Sequence, residues 1–163
     1  MNTPLETLQA NPLMAESFSG AELALLAKYL RVATYQAKTP IMREGDAAQT
    51  MMFLLEGSAE VRSDGVRLAI LKPRSFFGES MFTPTAIRIA DVIARDKCSV
   101  AIFSLEQFKA LQEESAEAAL KICNFFTQER EEKAADKQRV FDRIDIWGRE
   151  LSAWLEAGAP LRS

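Results

Sequence analysis

A Gly-Glu pair that precedes an arginine at a fixed spacing is the feature that most constrains this chain. Gly78-Glu79 is followed by Arg88, nine residues after Glu79, and a short apolar stretch begins just beyond it at Ile89. Glycine lets a backbone approach a ligand closely, and the N–H groups at the start of a short helix bind anions. A carboxylate can accept a hydrogen bond from a sugar hydroxyl, and a guanidinium can neutralise a phosphate. The segment therefore predicts a loop and short helix that bind a sugar phosphate.

A second motif lies upstream of this segment and strengthens the prediction. Glu44-Gly45-Asp46 is followed by the apolar run Met51–Leu55 and then by Glu56-Gly57. Together, the EGD…FLLEG hairpin and the Gly-Glu…Arg segment resemble the hairpin and the phosphate-binding cassette of the cyclic nucleotide-binding domain family. The resemblance extends from about Leu23 to Phe141, and it points to the branch of cAMP receptors and catabolite activators.

The resemblance implies a fold, a ligand and a set of binding residues. The implied fold is mainly β with flanking helices: a double-stranded β-helix, or jelly-roll-like β-roll, with N-terminal helices and a long C-terminal helix. The implied ligand is cAMP or another cyclic nucleotide, with no further cofactor. The implied ligand-binding residues are those of the cassette, namely Gly78, Glu79, Ser80, Arg88, Ile89 and Ala90.

The resemblance gives the two charged cassette residues separate roles, and each also has a simpler structural explanation. Glu79 would accept a hydrogen bond from the ribose 2′-hydroxyl, or it would hold the short helix by accepting backbone N–H groups. Arg88 would face the cyclic phosphate from inside the roll, where a guanidinium without a partner strongly favours an anion. The alternative is a solvent-exposed strand arginine that pairs with a carboxylate such as Asp91.

Several positions depart from the pattern of the family and bear on affinity and on the choice of nucleotide. The residue before the arginine is commonly proline and here is Ile87, the residue after it is commonly small and here is Ile89, and the glycine usual in the first hairpin is Lys38. The Thr-Ser pair that contacts the base in catabolite activators falls at Lys133-Ala134. Lys133 is thus a hypothetical base contact, or otherwise part of a solvated helix face with i,i+4 ion pairs. These departures leave open a second function, that of a protein-interaction domain with the same fold and a vestigial, non-binding pocket.

The hydrophobic pattern divides the chain into a helical, a β and a second helical part. Ser19 and Glu22 fit a capping box at the start of a helix, and a looser helical segment precedes them from about Pro4 to Phe18. Short β segments then alternate with turn signals, which is typical of a sandwich, roll or barrel. These segments are Val32–Gln36, Ile41–Arg43, Met51–Leu55, Ala59–Arg62, Val66–Leu71, Arg88–Ala94 and Ser99–Phe103.

The C-terminal part is predicted to be helical nearly to its end. Ser104 and Gln107 fit a second capping box, and a long helix is predicted from about Ala116 to Ile144. The resulting division places N-terminal helices at residues 1–31, the cyclic nucleotide-binding β-roll at 32–104 and C-terminal helices at 105–163, within one compact domain. Apolar residues at 3-4 spacing along these helices share one seam and predict a homodimer. They are Ala116, Leu120, Cys123, Phe141, Ile144, Leu151 and Leu155.

The composition argues against an enzyme and against a metal site. The chain has no histidine, which removes the usual general base and the commonest metal ligand. Cys98 and Cys123 lack metal-ligand spacing and are interpreted as buried cytosolic thiols. The longest strongly apolar run, Met51–Leu55, is far shorter than the roughly 20 residues of a membrane span, and the N-terminus lacks the basic start of a signal peptide. We therefore expect a cytoplasmic, non-enzymatic protein that binds no membrane.

Charge and the C-terminal segment argue against the binding of nucleic acid. A formal net charge of -3 and a pI near 5.2 provide no basic surface for DNA. The segment Asp145–Leu155 resembles the hinge and first helix that lead into the DNA-binding domain of catabolite activators, but no recognition helix follows it. It is either a remnant of such a domain or an amphipathic helix that covers the roll or a partner. The expected protein is a stand-alone regulatory module that senses its ligand and signals through its C-terminal helices to an unidentified protein partner.

Overall fold

The computed structural model describes the backbone of residues 2–156 and the side chains of residues 2–145. Two units follow one another along the chain: the first ends at Arg130 and the second begins at Glu131. The division at residues 31/32 and 104/105 that the sequence suggests stays a prediction. Leu151 and Leu155, which the sequence places on the dimer seam, lie outside the described side chains.

Three short helices precede the strands, and each begins at a residue that caps its free N–H groups. α1 (Pro4–Ala10) and α2 (Pro12–Ser17) carry proline in the first turn, where the missing N–H leaves no hydrogen bond unmade. At the start of α3 (Gly20–Lys28), the Ser19 hydroxyl accepts from the Glu22 N–H at 3.1 Å, and a Glu22 carboxylate oxygen accepts from the Ser19 N–H at 2.8 Å. The capping box predicted at Ser19 is therefore confirmed.

Two helices, α4 (Leu105–Glu114) and α5 (Ala116–Glu156), follow the last strand. The second predicted capping box is only half formed. The Ser104 hydroxyl accepts from the Gln107 N–H at 3.1 Å, whereas the buried Oε1 of Gln107 has no hydrogen-bond partner among the described residues. α5 continues to Glu156, well beyond its predicted end at Ile144, and no proline lies between these residues to interrupt it. Among residues 2–156, no helix is both long and apolar enough to cross a membrane.

Eight strands form two four-stranded antiparallel sheets. The strands are β1 (Arg31–Tyr35), β2 (Pro40–Met42), β3 (Thr50–Glu56), β4 (Ala59–Ser63), β5 (Val66–Leu71), β6 (Phe76–Phe77), β7 (Asp91–Ala94) and β8 (Cys98–Ser104). One sheet has the order β1-β8-β3-β6 and the other β2-β7-β4-β5. The predicted fold class, a β-roll with N-terminal helices and a long C-terminal helix, is confirmed.

β5 has its predicted bounds, and β1, β2, β3, β4 and β8 differ from theirs by one residue at one or both ends. The two larger differences lie at the cassette. The sequence does not predict β6, because a strand of two residues carries no periodic pattern. β7 begins at Asp91 rather than at Arg88. The backbone of Arg88 pairs instead with the upstream turn: the Gly45 N–H donates to the Arg88 carbonyl, and the Arg88 N–H donates to the Asp46 carbonyl, both at 2.9 Å. Arg88 thus belongs to the loop that closes the cassette.

The turn between β1 and β2 shows how a lysine occupies a position where glycine is expected. Lys38 adopts a φ of 68°, in the left-handed region that glycine enters most readily. Its N–H donates to the Ala94 carbonyl at 2.7 Å. The hydrogen bond holds the turn in place although the residue has a Cβ.

β3 lies between two hydrophobic clusters and contributes to both. Met51, Phe53 and Leu55 face a cluster shared with the helices, whereas Met52 and Leu54 face a cluster between the two sheets. All five side chains are at most 4% exposed. Burial on both faces explains why this segment is continuously apolar rather than alternating.

Aromatic rings attach the cassette to the helices. Phe82, at the end of the short 3₁₀ helix Glu79–Phe82, stacks on Phe126 of α5 with ring centroids 5.7 Å apart and an interplanar angle of 17°. It also meets Phe108 of α4 edge to face at 5.2 Å. Phe126 is fully buried. The position of the cassette therefore depends on α4 and on the first part of α5.

Candidate functional site

The cassette begins where β6 ends and returns to the roll at Arg88. Gly78 adopts a left-handed conformation with a φ of 90° and immediately precedes the 3₁₀ helix Glu79–Phe82. Glu79 and Ser80 on this helix are 3% and 4% exposed, respectively, and Arg88 is 7% exposed. A carboxylate, a hydroxyl and a guanidinium are therefore buried within a short length of chain, which is uncommon unless these groups have partners.

Gly78 is the point of closest backbone approach in the cassette. A Cβ added there would lie 2.6 Å from Cε of Met42, 2.9 Å from Nη1 of Arg88 and 3.0 Å from the Thr50 carbonyl oxygen. Its φ is also one that residues with a Cβ rarely adopt. Glycine is needed here both for the backbone conformation and for the space that the guanidinium occupies.

The Arg88 side chain turns inward and donates three hydrogen bonds. Its Nη1 donates to the Gly78 carbonyl at 3.0 Å. Its Nη2 donates to the Thr50 carbonyl at 2.7 Å and to the Thr50 hydroxyl at 3.0 Å. The alternative of a solvent-exposed arginine paired with Asp91 is wrong, because Arg88 is buried and donates to Gly78 and Thr50. Asp91 accepts from the Glu44 N–H at 2.7 Å.

The sequence-based picture of a guanidinium without a partner is also wrong, but the charge of Arg88 is only partly compensated. Burial lowers the pKa of Arg88, and the carboxylates of Glu79 and Asp46 raise this pKa by a smaller amount. The three acceptors at Gly78 and Thr50 are uncharged. A guanidinium has five N–H donors, and the described residues accept three hydrogen bonds from Arg88, so an anionic ligand could engage donors that these residues leave available.

Ser80 connects the cassette to α5 within the first unit. Its hydroxyl accepts a hydrogen bond of 3.5 Å from Nε of Arg130. Almost one turn earlier on the same helix, the Thr127 hydroxyl donates to the Phe82 carbonyl at 3.3 Å. These polar contacts lie beside the stacked rings of Phe82 and Phe126. A displacement of the 3₁₀ helix would therefore change several contacts of α5 at once.

The structure brings only some of the predicted site residues together. Gly78 and Arg88 are in direct hydrogen-bond contact, and Glu79 is close enough to influence the pKa of Arg88. Ile89 and Ala90 follow Arg88 outside any strand and are half-buried. Their assignment to a ligand site stays a prediction.

Two further predictions concern the base and metals. Lys133 lies on α5 in the second unit, so its contact with a base stays a prediction. Within the part of the chain that the structure describes, no group of three or more Asp, Glu or Cys side chains could hold a metal ion.

Sequence reasoning misses two residues that contact the cassette. Thr50 lies 38 positions before Arg88, and Arg130 lies 50 positions after Ser80. Neither belongs to the Gly-Glu…Arg motif, because both contacts arise from the packing of distant elements. The single local signal is that Thr50 immediately precedes the apolar run of β3.

Comparison with protein families gives one match. A family model described as "Cyclic nucleotide-binding domain" matches residues 32–115, which is just over half of the chain. This span includes the EGD turn, the cassette and Arg88. No curated protein matches the chain.

Several solved structures share the fold at low sequence identity. A cyclic nucleotide-binding domain from Methylobacillus flagellatus KT is 20% identical with a TM-score of 0.65, over 77% of this chain and 74% of that one. The regulatory domain of Toxoplasma gondii PKA, crystallised with cAMP, is 21% identical with a TM-score of 0.65, over 79% of this chain and 49% of that one. The c-di-GMP-responsive global regulator CLP of Xanthomonas campestris is 21% identical with a TM-score of 0.62, over 78% of this chain and 65% of that one. At these identities the likeness concerns the fold alone.

Alanine at Gly78 tests how closely the cassette backbone approaches Arg88. We expect Gly78→Ala to lower the free energy of unfolding by about 2–5 kcal/mol, because the left-handed backbone becomes strained and the new Cβ overpacks its neighbours. Gly45→Ala is the matched control, since Gly45 has a φ of 88° but nothing within 4 Å of an added Cβ. Its expected loss is about 1–2 kcal/mol, from the backbone alone. Urea denaturation measures both losses, and equal losses would contradict the close approach.

Proposed function

The chain belongs to the cyclic nucleotide-binding domain family, and on that premise we propose that it is a regulatory module that binds a cyclic nucleotide at the cassette. The observation that carries this proposal is the buried guanidinium of Arg88, whose hydrogen-bond acceptors among the described residues are all uncharged. A buried cation of this kind is stabilised most by an anion that reaches it inside the protein. The cyclic phosphate is such an anion, and no catalytic step is required of the protein.

Each cassette residue has a role in the proposed complex. Arg88 pairs with the cyclic phosphate, and the backbone N–H of Ile89 donates to it. Glu79 accepts from the ribose 2′-hydroxyl, and a hydrogen bond of this charged kind contributes about 1.5–3 kcal/mol. That contribution favours a ribonucleotide over its deoxy analogue. Gly78 provides the space, and Ser80 and Ala90 complete the proposed binding set.

cAMP is the first candidate ligand. The Toxoplasma gondii relative was crystallised with cAMP, which supports testing this nucleotide before others. The Xanthomonas campestris relative is described as responsive to c-di-GMP, so a cyclic dinucleotide belongs in the same test. In the sequence, Lys133-Ala134 stands where catabolite activators have a base-contacting Thr-Ser pair, so a preference for a purine other than adenine is the natural alternative.

A second candidate function is a protein-interaction domain with a vestigial pocket. Two observations favour it: Arg88 already donates three hydrogen bonds to Gly78 and Thr50, and bulky Ile87 and Ile89 flank the arginine. This alternative predicts no response to any nucleotide, so one binding experiment separates the two functions.

The proposed site makes a specific prediction for thermal stability and binding. At a ligand concentration of 100 times Kd, cAMP should stabilise the wild-type protein by about 2.7 kcal/mol, which corresponds to roughly 5–10 °C in Tm for a chain of this size. Arg88→Ala should abolish this response, because the phosphate loses its counter-charge. Glu79→Gln should weaken binding without abolishing it, and Ile89→Ser should strengthen it by adding a hydroxyl where relatives have a small residue. Calorimetric titration with cAMP, cGMP, c-di-GMP and AMP measures all four proteins, with AMP as the non-cyclic control.

A matched variant separates loss of the ligand from loss of the fold. Arg88→Ala should also reduce the free energy of unfolding by about 1–3 kcal/mol, because buried carbonyls at Gly78 and Thr50 lose their donor. Arg67→Ala makes the same substitution at an exposed position on β5 and should change neither stability nor binding appreciably. If wild type binds cAMP and Arg88→Ala binds it equally well, the nucleotide lies elsewhere and the proposed site is wrong.

We propose further that the bound nucleotide is signalled through α5. The support is the set of contacts between the cassette and this helix up to Arg130, namely the Phe82–Phe126 stack and the hydrogen bonds of Thr127 and Arg130. A ligand shifts a conformational equilibrium only through contacts that differ between two states. The 3₁₀ helix is the element that both the ligand and α5 would contact.

Hydrogen exchange tests this route. On addition of cAMP, amides of residues 118–130 should change their exchange rates together with those of residues 78–90. Thr127→Ala should reduce the change in α5 but not that in the cassette, because it removes the hydrogen bond to the Phe82 carbonyl. Amides of α3 serve as the internal control. If the cassette responds and residues 118–130 do not, the signal does not pass through this helix.

We also propose that the protein forms a homodimer through α5. Leu120 is 63% exposed and Ile144 is 44% exposed, and both belong to the seam predicted from sequence. Exposed large apolar side chains on a helix are typical of surfaces that bind another helix. The signalling partner, the lack of nucleic-acid and membrane binding, and the cytoplasmic location stay predictions.

Ultracentrifugation at micromolar concentration tests the dimer. We expect twice the chain mass of 18.2 kDa for wild type and a shift towards monomer in Leu120→Glu, because a charge would be buried in the seam. Gln112→Glu adds the same charge at an exposed position on α4 and should remain dimeric. A monomeric wild type would contradict the dimer, and a dimeric Leu120→Glu would contradict the seam.

A further inference from the structure

We propose that Thr50 is a positioning residue that keeps Arg88 engaged within the protein and thereby lowers its affinity for a cyclic phosphate. The inference rests on the proposed function of the cassette and concerns what sets the affinity of that site for a nucleotide. Its basis is the division of the Arg88 hydrogen bonds between two neighbours. Thr50 receives two of the three, one on its carbonyl at 2.7 Å and one on its hydroxyl at 3.0 Å.

Both of the Thr50 hydrogen bonds come from the same nitrogen of Arg88. Nη2 carries two N–H groups, and both hydrogen bonds that this nitrogen donates to the described residues go to Thr50. Nη1 donates to the Gly78 carbonyl at 3.0 Å. Among the described residues, Nε has no acceptor and Nη1 has one, so the donors of these two nitrogens are the least engaged.

The donors on Nε and Nη1 do not together form a fork that could bind a phosphate. A guanidinium binds an oxyanion in bidentate fashion through two parallel N–H groups on one edge. One such edge joins Nη1 with Nη2, and the other joins Nε with Nη2, so both include Nη2. A phosphate that binds Arg88 in this strong geometry therefore competes with Thr50 for Nη2.

Of the two Thr50 acceptors, the hydroxyl is the one that a phosphate would displace more easily. The Thr50 carbonyl belongs to the backbone at the start of β3, where Thr50 pairs with Ser104 of β8, and its hydrogen bond is the shorter of the two. The hydroxyl can leave by a rotation of the side chain about χ1. The Thr50 hydroxyl thus competes with the phosphate for one N–H group, and it sets the ligand concentration at which the site fills.

Two substitutions at one position test this competition. Thr50→Val removes the hydroxyl and keeps the shape, so cAMP should bind about three- to tenfold more tightly, the effect of one net hydrogen bond. The same variant should have a lower Tm without ligand, because Arg88 loses an acceptor. Thr50→Ser restores the hydroxyl and should behave as wild type in both measurements. A purely structural role would lower Tm without tightening binding, so opposite signs for stability and affinity are the diagnostic result.

Calorimetric titration of the three proteins with cAMP and cGMP gives outcomes that separate this inference from the proposed function. If wild type binds and Thr50→Val binds equally or more weakly, the competition is wrong and the proposed function stands. If Thr50→Val binds but neither wild type nor Thr50→Ser does, the competition is supported. The native pocket then binds no nucleotide at these concentrations. If none of the three binds either nucleotide, the proposed function fails and this inference fails with it.

Discussion

Burial of β3 on both faces is the constraint on which the rest of the structure depends. Its side chains enter two different hydrophobic clusters, so a shift of one residue would exchange the contents of both. The register is therefore fixed by packing on two sides, and Thr50 is held opposite Ser104 at the start of the strand. Because Thr50 contacts the guanidinium of Arg88, the core determines where the cationic group of the cassette lies.

In the free protein, the cassette must compensate the buried charge of Arg88 enough for a stable fold and still leave an attraction for an anion. Burial lowers the pKa of Arg88, which means that the surroundings disfavour its charged form. Uncharged acceptors at Gly78 and Thr50 compensate part of this penalty. Full compensation by a fixed carboxylate would stabilise the free protein and leave less to gain from an anionic ligand. Partial compensation by neutral groups preserves both a stable fold and an attraction for phosphate.

The fold could be predicted from sequence to the extent that local patterns determine it. The Ser19 capping box and the strand Val66–Leu71 have the predicted positions, because caps and alternation are properties of adjacent residues. β6 could not be predicted, since two residues have no period. The start of β7 was predicted too early because the pairing of Arg88 with the EGD turn joins segments far apart in sequence.

The candidate site shows the same limit. Gly78, Glu79 and Arg88 could be selected as candidates from their spacing, and the structure brings Gly78 and Arg88 into contact. Thr50 and Arg130 could not, since tertiary packing brings them to the cassette. The orientation of the Arg88 side chain could not be predicted either. A sequence gives the position of a residue in the chain, but it does not show which acceptors the donors of that residue will contact.

The presence of arginine at position 88 determines how the site behaves when acidity changes. Although burial lowers the pKa of Arg88, an arginine keeps its proton at physiological pH because its ordinary pKa lies so far above neutrality. A lysine buried to the same degree would lose its proton much more readily. The chain also has no histidine, the side chain that ordinarily titrates between about pH 5 and pH 8. The charge of Arg88 therefore stays constant while pH drifts, and its attraction for an anionic ligand does not depend on acidity in the physiological range.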